Sequence, residues 1–457
     1  MTETANIAII GAGPVGSLMS LFLARRGFEV TIYERRPDMR RVPISAGRSI
    51  NLALANRGIE ALSRVGLMEA LERHLIPMRG RMIHDPDGTL QLQPYGNKPG
   101  EIIHSVSRGA LNKLLMDAAE AAGVGIRFGQ RCDQVDLAGG NVTVTDEERG
   151  DQLVIPHDVI IGADGGGSVV RSAIAGVSAV SEEPLDHGYK ELTIPADAGG
   201  GYAMEPNALH IWPRGGYMLI ALPNIDGSFT ATLFLPNEGD NSFEELTSRE
   251  VVEAFFERQF SDAVPLIGNP ADSFFENPTG RLGTIRCQRW HEGGKGVLMG
   301  DAAHAIVPFH GQGMNAGFED CVALDRHMDM HGHDWAAVFA AFEAERKPSA
   351  DAIADMALEN YIEMRESVRD PKFQLRREVA WKLEALYPDH FIPRYSMVMF
   401  HLLPYAEAYE RGQVQATILE TLTRTAETID QVDFDHAKKL VEENILSLPA
   451  LDREKSP

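Results

Sequence analysis

The sequence predicts an α/β fold in three parts. A Gly-x-Gly-x-x-Gly turn near the start follows an apolar strand and opens a helix, as in a Rossmann-like dinucleotide-binding domain. Short runs rich in β-branched and aromatic residues between 191 and 235 predict an antiparallel β-sheet. Helical patterns dominate from residue 334 to the end. We therefore expect a nucleotide domain at 1–180 with 280–330, an antiparallel β-sheet substrate domain at 181–279 joined by the 75–105 hairpin, and a helical C-terminal region at 331–457.

Composition narrows the class of protein. The chain has 457 residues, 43 Lys+Arg against 66 Asp+Glu, and a formal net charge of −23. Its length predicts two or three domains, and its acidic balance disfavours nucleic acid as a partner. Cys132, Cys287 and Cys321 form no CxxC pair, which fits a reducing compartment. Because the apolar runs are shorter than a membrane span, we expect a cytoplasmic protein with no membrane anchor. The sequence does not indicate an oligomeric state.

Residues 6–34 predict a strand, a turn, a helix and a second strand. In the turn, Gly11 permits the sharp bend, Gly13 lets a pyrophosphate approach the backbone, and Gly16 allows close helix–strand packing. Helix amides would then face the phosphates. Glu34 closes the second strand, where its carboxylate can accept hydrogen bonds from ribose hydroxyls. This context predicts a dinucleotide site.

Two later segments favour FAD over NAD as that dinucleotide. Asp164 follows the apolar strand 159–161, and Asp301 follows the apolar run 297–299. An acid at the mouth of a buried strand can bind a polyol hydroxyl such as those of ribityl. The turn 313–315 opens a helix whose amides can face negative charge on a reduced flavin. We therefore expect a Rossmann-like FAD-binding domain.

A predicted hairpin supplies a candidate clamp for a small carboxylate. Its turn centres near residue 87, which sets Tyr95 opposite Arg79 and diagonal to Arg81 on one face. The planar fork of arginine suits a carboxylate. The alternative is that Arg81 pairs with an internal acid. Asn360 and Met364 share a face of a long helix predicted from about 334 to 369, where core packing is the alternative role.

The three FAD segments, in this order and spacing, resemble the flavoprotein aromatic hydroxylases, which use one FAD and take electrons from NAD(P)H. The resemblance spans about residues 6–365. It implies that Asp301 contacts the ribityl–pyrophosphate region, that Gly313, Met314 and Asn315 meet the isoalloxazine edge, and that Arg108 also contacts FAD. For Arg108 the alternative is a surface salt bridge. The adenosine diphosphate would be held by Gly11, Gly13, Val15, Gly16, Glu34, Arg35 and Arg36, with Cys132 meeting adenine through its backbone.

Further blocks along nearly the whole chain are similar to the kynurenine 3-monooxygenase family. They lie at 47–55, 79–82, 92–96, 206–213, 308–315, 357–361 and 392–398. The family resemblance implies hydroxylation of L-kynurenine with O₂ and NADPH as a transient electron donor, through a C4a-hydroperoxyflavin. Eukaryotic members carry a hydrophobic C-terminal anchor, whereas this chain ends in largely polar residues. We therefore expect the soluble, bacterial-type form.

The same resemblance assigns substrate contacts. Arg81 and Tyr95 would bind the amino-acid carboxylate, with help from Asn360 and Tyr395. Ala53 would contact the flavin. No catalytic side chain is assigned, because the flavin supplies the chemistry, and no metal is expected. The aromatic end would be lined by Leu209, Ile220, Phe234, Phe309 and Met364, with His310 and Gln312 between the flavin and the substrate ring.

Two other interpretations are compatible with the FAD segments. One is a hydroxylase that acts on a different aromatic amine or phenol. The other is a flavoprotein redox sensor that binds a ligand without turnover.

Overall fold

The computed structural model describes residues 5–42, 51–176, 179–366 and 370–448. Part of the 47–55 block, residues 47–50, lies outside the described residues. In chain order the strands are β1 (Asn6–Ile10), β2 (Glu29–Glu34), β3 (Asn51–Leu54), β4 (Leu75–Met78), β5 (Gly80–His84), β6 (Leu90–Pro94), β7 (Ile103–Ser107), β8 (Gly125–Phe128), β9 (Gln130–Asp136), β10 (Asn141–Asp146), β11 (Gln152–Pro156), β12 (Val159–Gly162), β13 (Val180–Ile194), β14 (Leu209–Pro213), β15 (Met218–Pro223), β16 (Phe229–Pro236), β17 (Gly280–Cys287), β18 (His291–Glu292) and β19 (Gly296–Leu298).

The helices follow the same chain order. They are α1 (Pro14–Arg25), α2 (Asn56–Arg64), α3 (Met68–Glu72), α4 (Arg108–Ala121), α5 (Val169–Ala175), α6 (Arg249–Gln259), α7 (Val264–Ile267), α8 (Pro270–Glu276), α9 (Asp301–His304), α10 (Gly313–His331), α11 (Trp335–Glu366), α12 (Pro371–Leu386), α13 (Arg394–Phe400), α14 (Tyr405–Thr423) and α15 (Phe434–Asn444). Short 3-10 helices include Pro308–His310 and Ile429–Gln431.

The nucleotide domain is built on a six-stranded sheet in the order β18-β19-β12-β1-β2-β8. Its strands pair in parallel except at the β18–β19 edge. Residues 7–10 of β1 are buried, as expected for a strand covered on both faces. The predicted strand–turn–helix–strand of residues 6–34 is confirmed, and its turn lies at the carboxyl end of β1, where parallel sheets bind ligands.

The second sheet has seven strands in the order β17-β13-β16-β15-β14-β5-β6. The predicted antiparallel pairing of the central strands is confirmed, while β14 meets β5 of the 75–105 hairpin in parallel. The hairpin register pairs Gly80 with Pro94, so the predicted centre of its turn is confirmed. Strand β17 pairs with β13 in this sheet, although we assigned residues 280–330 to the nucleotide domain. That boundary would separate two paired strands. The sequence could not show this, because the pairing of strands so far apart along the chain depends on the tertiary structure.

The C-terminal helices close over the hairpin and the nucleotide domain. Buried side chains of α11, α13 and α14 form one apolar cluster with Ala55, Met78 and Tyr95. Helix α11 begins at Trp335 and is described to Glu366, close to the predicted 334–369. Two smaller sheets, β3-β7-β4 and β11-β10-β9, complete the fold. In the part of the chain that the structure describes, no helix is both long and apolar enough to cross a membrane.

Candidate active site

The glycine turn leaves space where a phosphate would approach. Gly11 has a φ of +102°, and a Cβ there would lie 2.5 Å from the Ala163 carbonyl oxygen. A Cβ on Gly16 would lie 2.1 Å from the Gly11 oxygen. On Gly13, by contrast, a Cβ would meet no atom within 4 Å. Helix α1 begins here, with Val15 in its first turn, and has neither a side-chain cap nor an acidic residue in that turn. Its amides and dipole are thus available to an anion, which fits the pyrophosphate of FAD.

The Glu34 carboxylate stabilises this turn and can still accept hydrogen bonds from a ribose. One carboxylate oxygen accepts a hydrogen bond from the Ala12 amide (2.9 Å) and the other from the Arg36 amide (2.9 Å). Each oxygen can accept a further bond from a ribose hydroxyl. Arg35 and Arg36 follow on the surface.

Three other predicted FAD contacts lie around the same domain. Cys132 is buried on β9 itself, beyond the end of β8, and burial raises the pKa of its thiol to about 12. Arg108 is exposed and opens α4. Asp164 has a different set of partners from the one we expected, since its carboxylate accepts from the Ser168 hydroxyl and the Val169 amide (2.7 Å). These bonds fix the start of α5 and use much of the carboxylate's capacity to accept hydrogen bonds.

Asp301 lies on a segment held by a buried ion network. The Asp320 carboxylate accepts from the Gly300 amide (2.9 Å), His304 Nε2 (2.6 Å) and Arg346 Nε (2.8 Å). Burial alone would raise the pKa of Asp320, but His304 and Arg346 outweigh it and the pKa is lowered. The segment that contains Asp301 is therefore held in place by the Asp320 carboxylate, which stays ionised.

The start of α10 is the second uncapped helix N-terminus of the site. Neither a side-chain cap nor an acidic residue occupies its first turn, which contains Gly313, Met314 and Asn315. The Asn315 side chain donates to the carbonyls of Ala53 (2.8 Å) and Gly311 (2.9 Å) and accepts from the Ala55 amide (3.0 Å). It thus ties β3 to α10, and backbone amides remain to face a flavin.

Gln312 is held by residues of the C-terminal helices. Its Oε1 accepts from the Tyr405 hydroxyl (2.7 Å), and its Nε2 contacts the Met399 sulfur (3.0 Å). The side chain is fully buried under the C-terminal helices and does not line the cavity that contains Phe309 and His310. The sequence could not show this, because Tyr405 reaches it only through tertiary packing.

One cavity of about 360 Å³ brings most of the remaining predicted residues together. Its volume is in the range of small-molecule sites. Ala53, Asp301 and Gly311 line the side toward the nucleotide domain. The other walls are formed by Arg81, Tyr95, Leu209, Ile220, Phe234, Phe309, His310, Met364 and Tyr395. The cavity therefore joins the predicted flavin contacts to the predicted substrate contacts.

The polar end of the cavity is built around Arg81. This buried guanidinium donates to Glu363 Oε1 (2.9 Å) and to Asn360 Oδ1 (3.3 Å). The alternative of an internal acid as partner is thus realised, and Arg81 nevertheless lines the cavity. The Tyr95 hydroxyl is buried and has no hydrogen-bond partner among the described residues. Its ring stacks on Tyr395, with centroids 5.7 Å apart.

Glu363 is the residue that sequence reasoning missed. It follows Asn360 by three positions on α11 and lines a neighbouring cavity that shares Arg81 with the first. The i, i+3 spacing on a helix face was the available signal. Asn360 also donates to the Phe309 carbonyl (2.6 Å), so α11 fixes both the polar end and the aromatic wall.

The aromatic wall is tightly stacked and uncharged at neutral pH. Phe309 stacks on Tyr361 with centroids 3.8 Å apart and meets Phe234 edge-on at 4.9 Å. His310 stacks on Tyr395 at 5.5 Å. Burial lowers the pKa of His310 to about 3, so its ring is neutral near pH 7. His310 therefore lines the cavity as a neutral ring.

Comparisons with known proteins agree with this geometry. A family model described as an FAD binding domain matches residues 4–357. Kynurenine 3-monooxygenase of Myxococcus xanthus (strain DK1622) is 50% identical over 439 residues, which cover 95% of this chain and 94% of the relative. The enzyme of the same name from Stenotrophomonas maltophilia (strain K279a) is 48% identical over 431 residues, covering 94% of each chain.

Solved structures share the fold at low identity. The tetrameric form of 2-methyl-3-hydroxypyridine-5-carboxylic acid oxygenase matches with a TM-score of 0.66 and 18% identity, over 81% of this chain and 95% of that one. P. aeruginosa PqsL in complex with 2-aminobenzoylacetate matches with a TM-score of 0.64 and 19% identity, over 80% and 97%. From the matched domain and the relatives at about half identity over almost the full length, the chain belongs to the kynurenine 3-monooxygenase family of FAD-binding proteins.

Proposed function

We propose that this protein hydroxylates L-kynurenine to 3-hydroxykynurenine with NADPH and O₂, using bound FAD. FAD, when bound, accepts electrons from NADPH and activates O₂ so that one oxygen atom enters the substrate ring. The glycine turn, Glu34, Asp301 and the start of α10 would hold it. The remaining work of the protein is to bind, orient and shield the substrate.

The observation that supports this proposal most directly is the pairing of a free hydroxyl with a guanidinium at the polar end of the cavity. The buried Tyr95 hydroxyl has no partner among the described residues, and Arg81 lies beside it. Burial keeps the pKa of Tyr95 well above its ordinary value, so the phenol stays protonated and can donate to a carboxylate. An α-carboxylate would accept from both groups, while Glu363 offers its charge to the α-ammonium. An amino acid thus matches both signs of charge at this end.

The apolar walls then direct the aromatic end of the substrate toward the flavin side. The cavity is lined by Leu209, Ile220, Phe234, Phe309 and Met364, which are buried or half-buried. These apolar side chains exclude water from the ring that is to be hydroxylated, which limits wasteful peroxide release. No protein base is required, because the aniline nitrogen already enriches its ortho carbon with electrons. The neutral His310 ring agrees with this.

The test is oxidation of NADPH by the FAD-loaded protein with and without L-kynurenine, with products separated by mass. We expect substrate-stimulated oxidation and a product heavier by one oxygen atom, together with little H₂O₂. Stimulation that yields only H₂O₂ would indicate a sensor or effector site. Stimulation by other aromatic amines or phenols and not by kynurenine would indicate a hydroxylase of different specificity.

We also propose a cytoplasmic location. Cys132, Cys287 and Cys321 are all free and buried, and free thiols are typical of a reducing compartment.

A further inference from the structure

A second recess lies beside the active-site cavity and has no role in the mechanism above. It is a groove of about 450 Å³ between the seven-stranded sheet, the β3-β7-β4 sheet and α8. Exposed Asp226 and Glu276 stand at its rim. Hydroxyl and amide side chains line its inner wall, namely Ser105, Ser107, Thr193, Asn224, Ser228 and Thr230. The groove thus offers many hydrogen-bonding groups in a small space.

Glu191 lies at the inner wall of this groove. Only 6% of the residue is exposed, yet none of the described residues donates a hydrogen bond to its carboxylate. Burial raises the pKa of this carboxyl, and the nearby positive charge of Arg108 partly offsets that effect. Its oxygens open onto the groove and are not fully enclosed, so a ligand there could donate hydrogen bonds to them. The carboxylate would suit a ligand that brings N–H or O–H groups, or a positive charge.

Only a thin polar wall separates the groove from the active-site cavity. Asn51 lines the cavity, and its Nδ2 donates to Ser105 Oγ (3.1 Å), the Pro223 carbonyl (2.8 Å) and Asn224 Oδ1 (2.8 Å), which line the groove. Thr230 lines both spaces. Three acceptors compete for the two hydrogens of one amide, so these contacts can be exchanged for bonds to a ligand. Exchange of these contacts would open the wall, so that a flat ring in the groove would meet the flavin side of the cavity directly, as hydride transfer requires.

We propose that this groove receives the nicotinamide and its ribose when NADPH reduces the enzyme, with Glu191 as the residue that recognises them. The inference rests on the proposed function. In the transfer, the C4–H bond of the dihydronicotinamide breaks, and the hydride carries two electrons and one proton to the flavin. The nicotinamide is left as a pyridinium cation and the flavin is reduced.

The chemistry of the groove matches this end of the coenzyme and not the other. The Glu191 carboxylate can accept from ribose hydroxyls or the carboxamide and favours the positive charge that grows on the ring during transfer. The acidic rim repels phosphates, so the adenosine 2′-phosphate end would remain outside the groove. The wall amides and hydroxyls offer further bonds to the carboxamide.

The test compares the wild-type holoenzyme with Glu191→Gln by anaerobic stopped-flow reduction with NADPH in the presence of L-kynurenine. We expect the Kd for NADPH to rise about tenfold and the limiting rate of flavin reduction to fall. NADP⁺, measured as a competitive inhibitor of this reduction, should weaken to a similar degree. Adenosine 2′,5′-bisphosphate, which lacks the nicotinamide, should inhibit both proteins equally. FAD content and the Kd for kynurenine should not change.

Glu253→Gln, which alters an exposed carboxylate on α6, is the matched control and should behave as wild type. Equal NADPH and NADP⁺ binding by Glu191→Gln and wild type would refute the inference. Loss of FAD from Glu191→Gln would also refute it, because Glu191 would then only orient Arg108. Weakened binding of adenosine 2′,5′-bisphosphate would place Glu191 at the adenosine end of the coenzyme and would also refute the inference. Failure of wild type to hydroxylate kynurenine, with NADPH reduction intact, would instead overturn only the proposed function.

Discussion

Replacing Arg81 with methionine tests the polar end of the substrate cavity. Methionine fills a similar volume but removes the guanidinium that donates to Glu363 (2.9 Å) and Asn360 (3.3 Å). The substitution should therefore weaken kynurenine binding while leaving the FAD contacts in place, because none of the predicted FAD residues bonds to Arg81.

The magnitude follows from the hydrogen bonds at stake. A carboxylate bound by the guanidinium fork gains two charged bonds of roughly 1.5–3 kcal/mol each. Part of this gain is offset, since Arg81 already donates to Glu363. We take about 3 kcal/mol as the net loss, which corresponds to roughly a 150-fold rise in Kd. Leaving Glu363 without its partner near the incoming carboxylate adds repulsion, which increases this loss further.

The assay is titration of the oxidised holoenzyme with L-kynurenine, followed by the change in flavin absorbance. Arg81→Lys keeps the charge but not the planar fork, so an intermediate loss of affinity is expected. Arg149→Met, at an exposed position between β10 and β11, is the matched control and should bind kynurenine within about twofold of wild type. An unchanged Kd in Arg81→Met, or a loss of FAD from it, would show that Arg81 supports the fold and does not bind the substrate.

Three further predictions concern stability and the cofactor. Asp320→Asn removes the buried carboxylate that pairs with His304 and Arg346 and leaves Arg346 with Glu319 alone, which should cost about 3 kcal/mol and lower the Tm by roughly 3 °C for a chain of this length; thermal melting checks this. Gly16→Ala should yield an unstable, FAD-poor protein because its Cβ meets the Gly11 oxygen, whereas Gly13→Ala should keep its Tm and weaken FAD roughly tenfold in a fluorescence titration. His310 has a folded pKa of about 3 against 6.5 when unfolded, so the unfolded chain binds an extra proton and stability falls as pH drops from 6.5 toward 3. The Tm of His310→Asn should therefore fall less than the Tm of wild type between pH 6.5 and pH 4.

Each of these has an outcome that contradicts it. A Tm unchanged in Asp320→Asn would mean that the network contributes no net stability. Equal FAD affinity in Gly13→Ala and wild type would show that the space at Gly13 does not receive the phosphate. If the Tm of His310→Asn and the Tm of wild type fell equally with pH, His310 would have the same pKa in the folded and the unfolded protein.

The sequence by itself determined the local elements and the class of cofactor. The glycine turn between β1 and α1 depends on neighbouring residues only, since a positive φ at Gly11 and the lack of a Cβ at Gly16 are local requirements. The register of the 80–94 hairpin could be predicted for the same reason, because a short turn fixes the pairing of its two strands.

Only the tertiary structure decided which distant side chains share a site. The ion pair of Arg81 joins β5 to α11 across 282 positions, and Tyr395 comes from a helix still farther along the chain. Gln312 lies in a motif that the sequence revealed, yet the direction of its side chain depends on Tyr405. Likewise, β17 pairs with β13 and not with the nucleotide sheet. Local patterns specify helices, strands and turns, whereas these contacts follow from how the finished elements bury their apolar faces against one another.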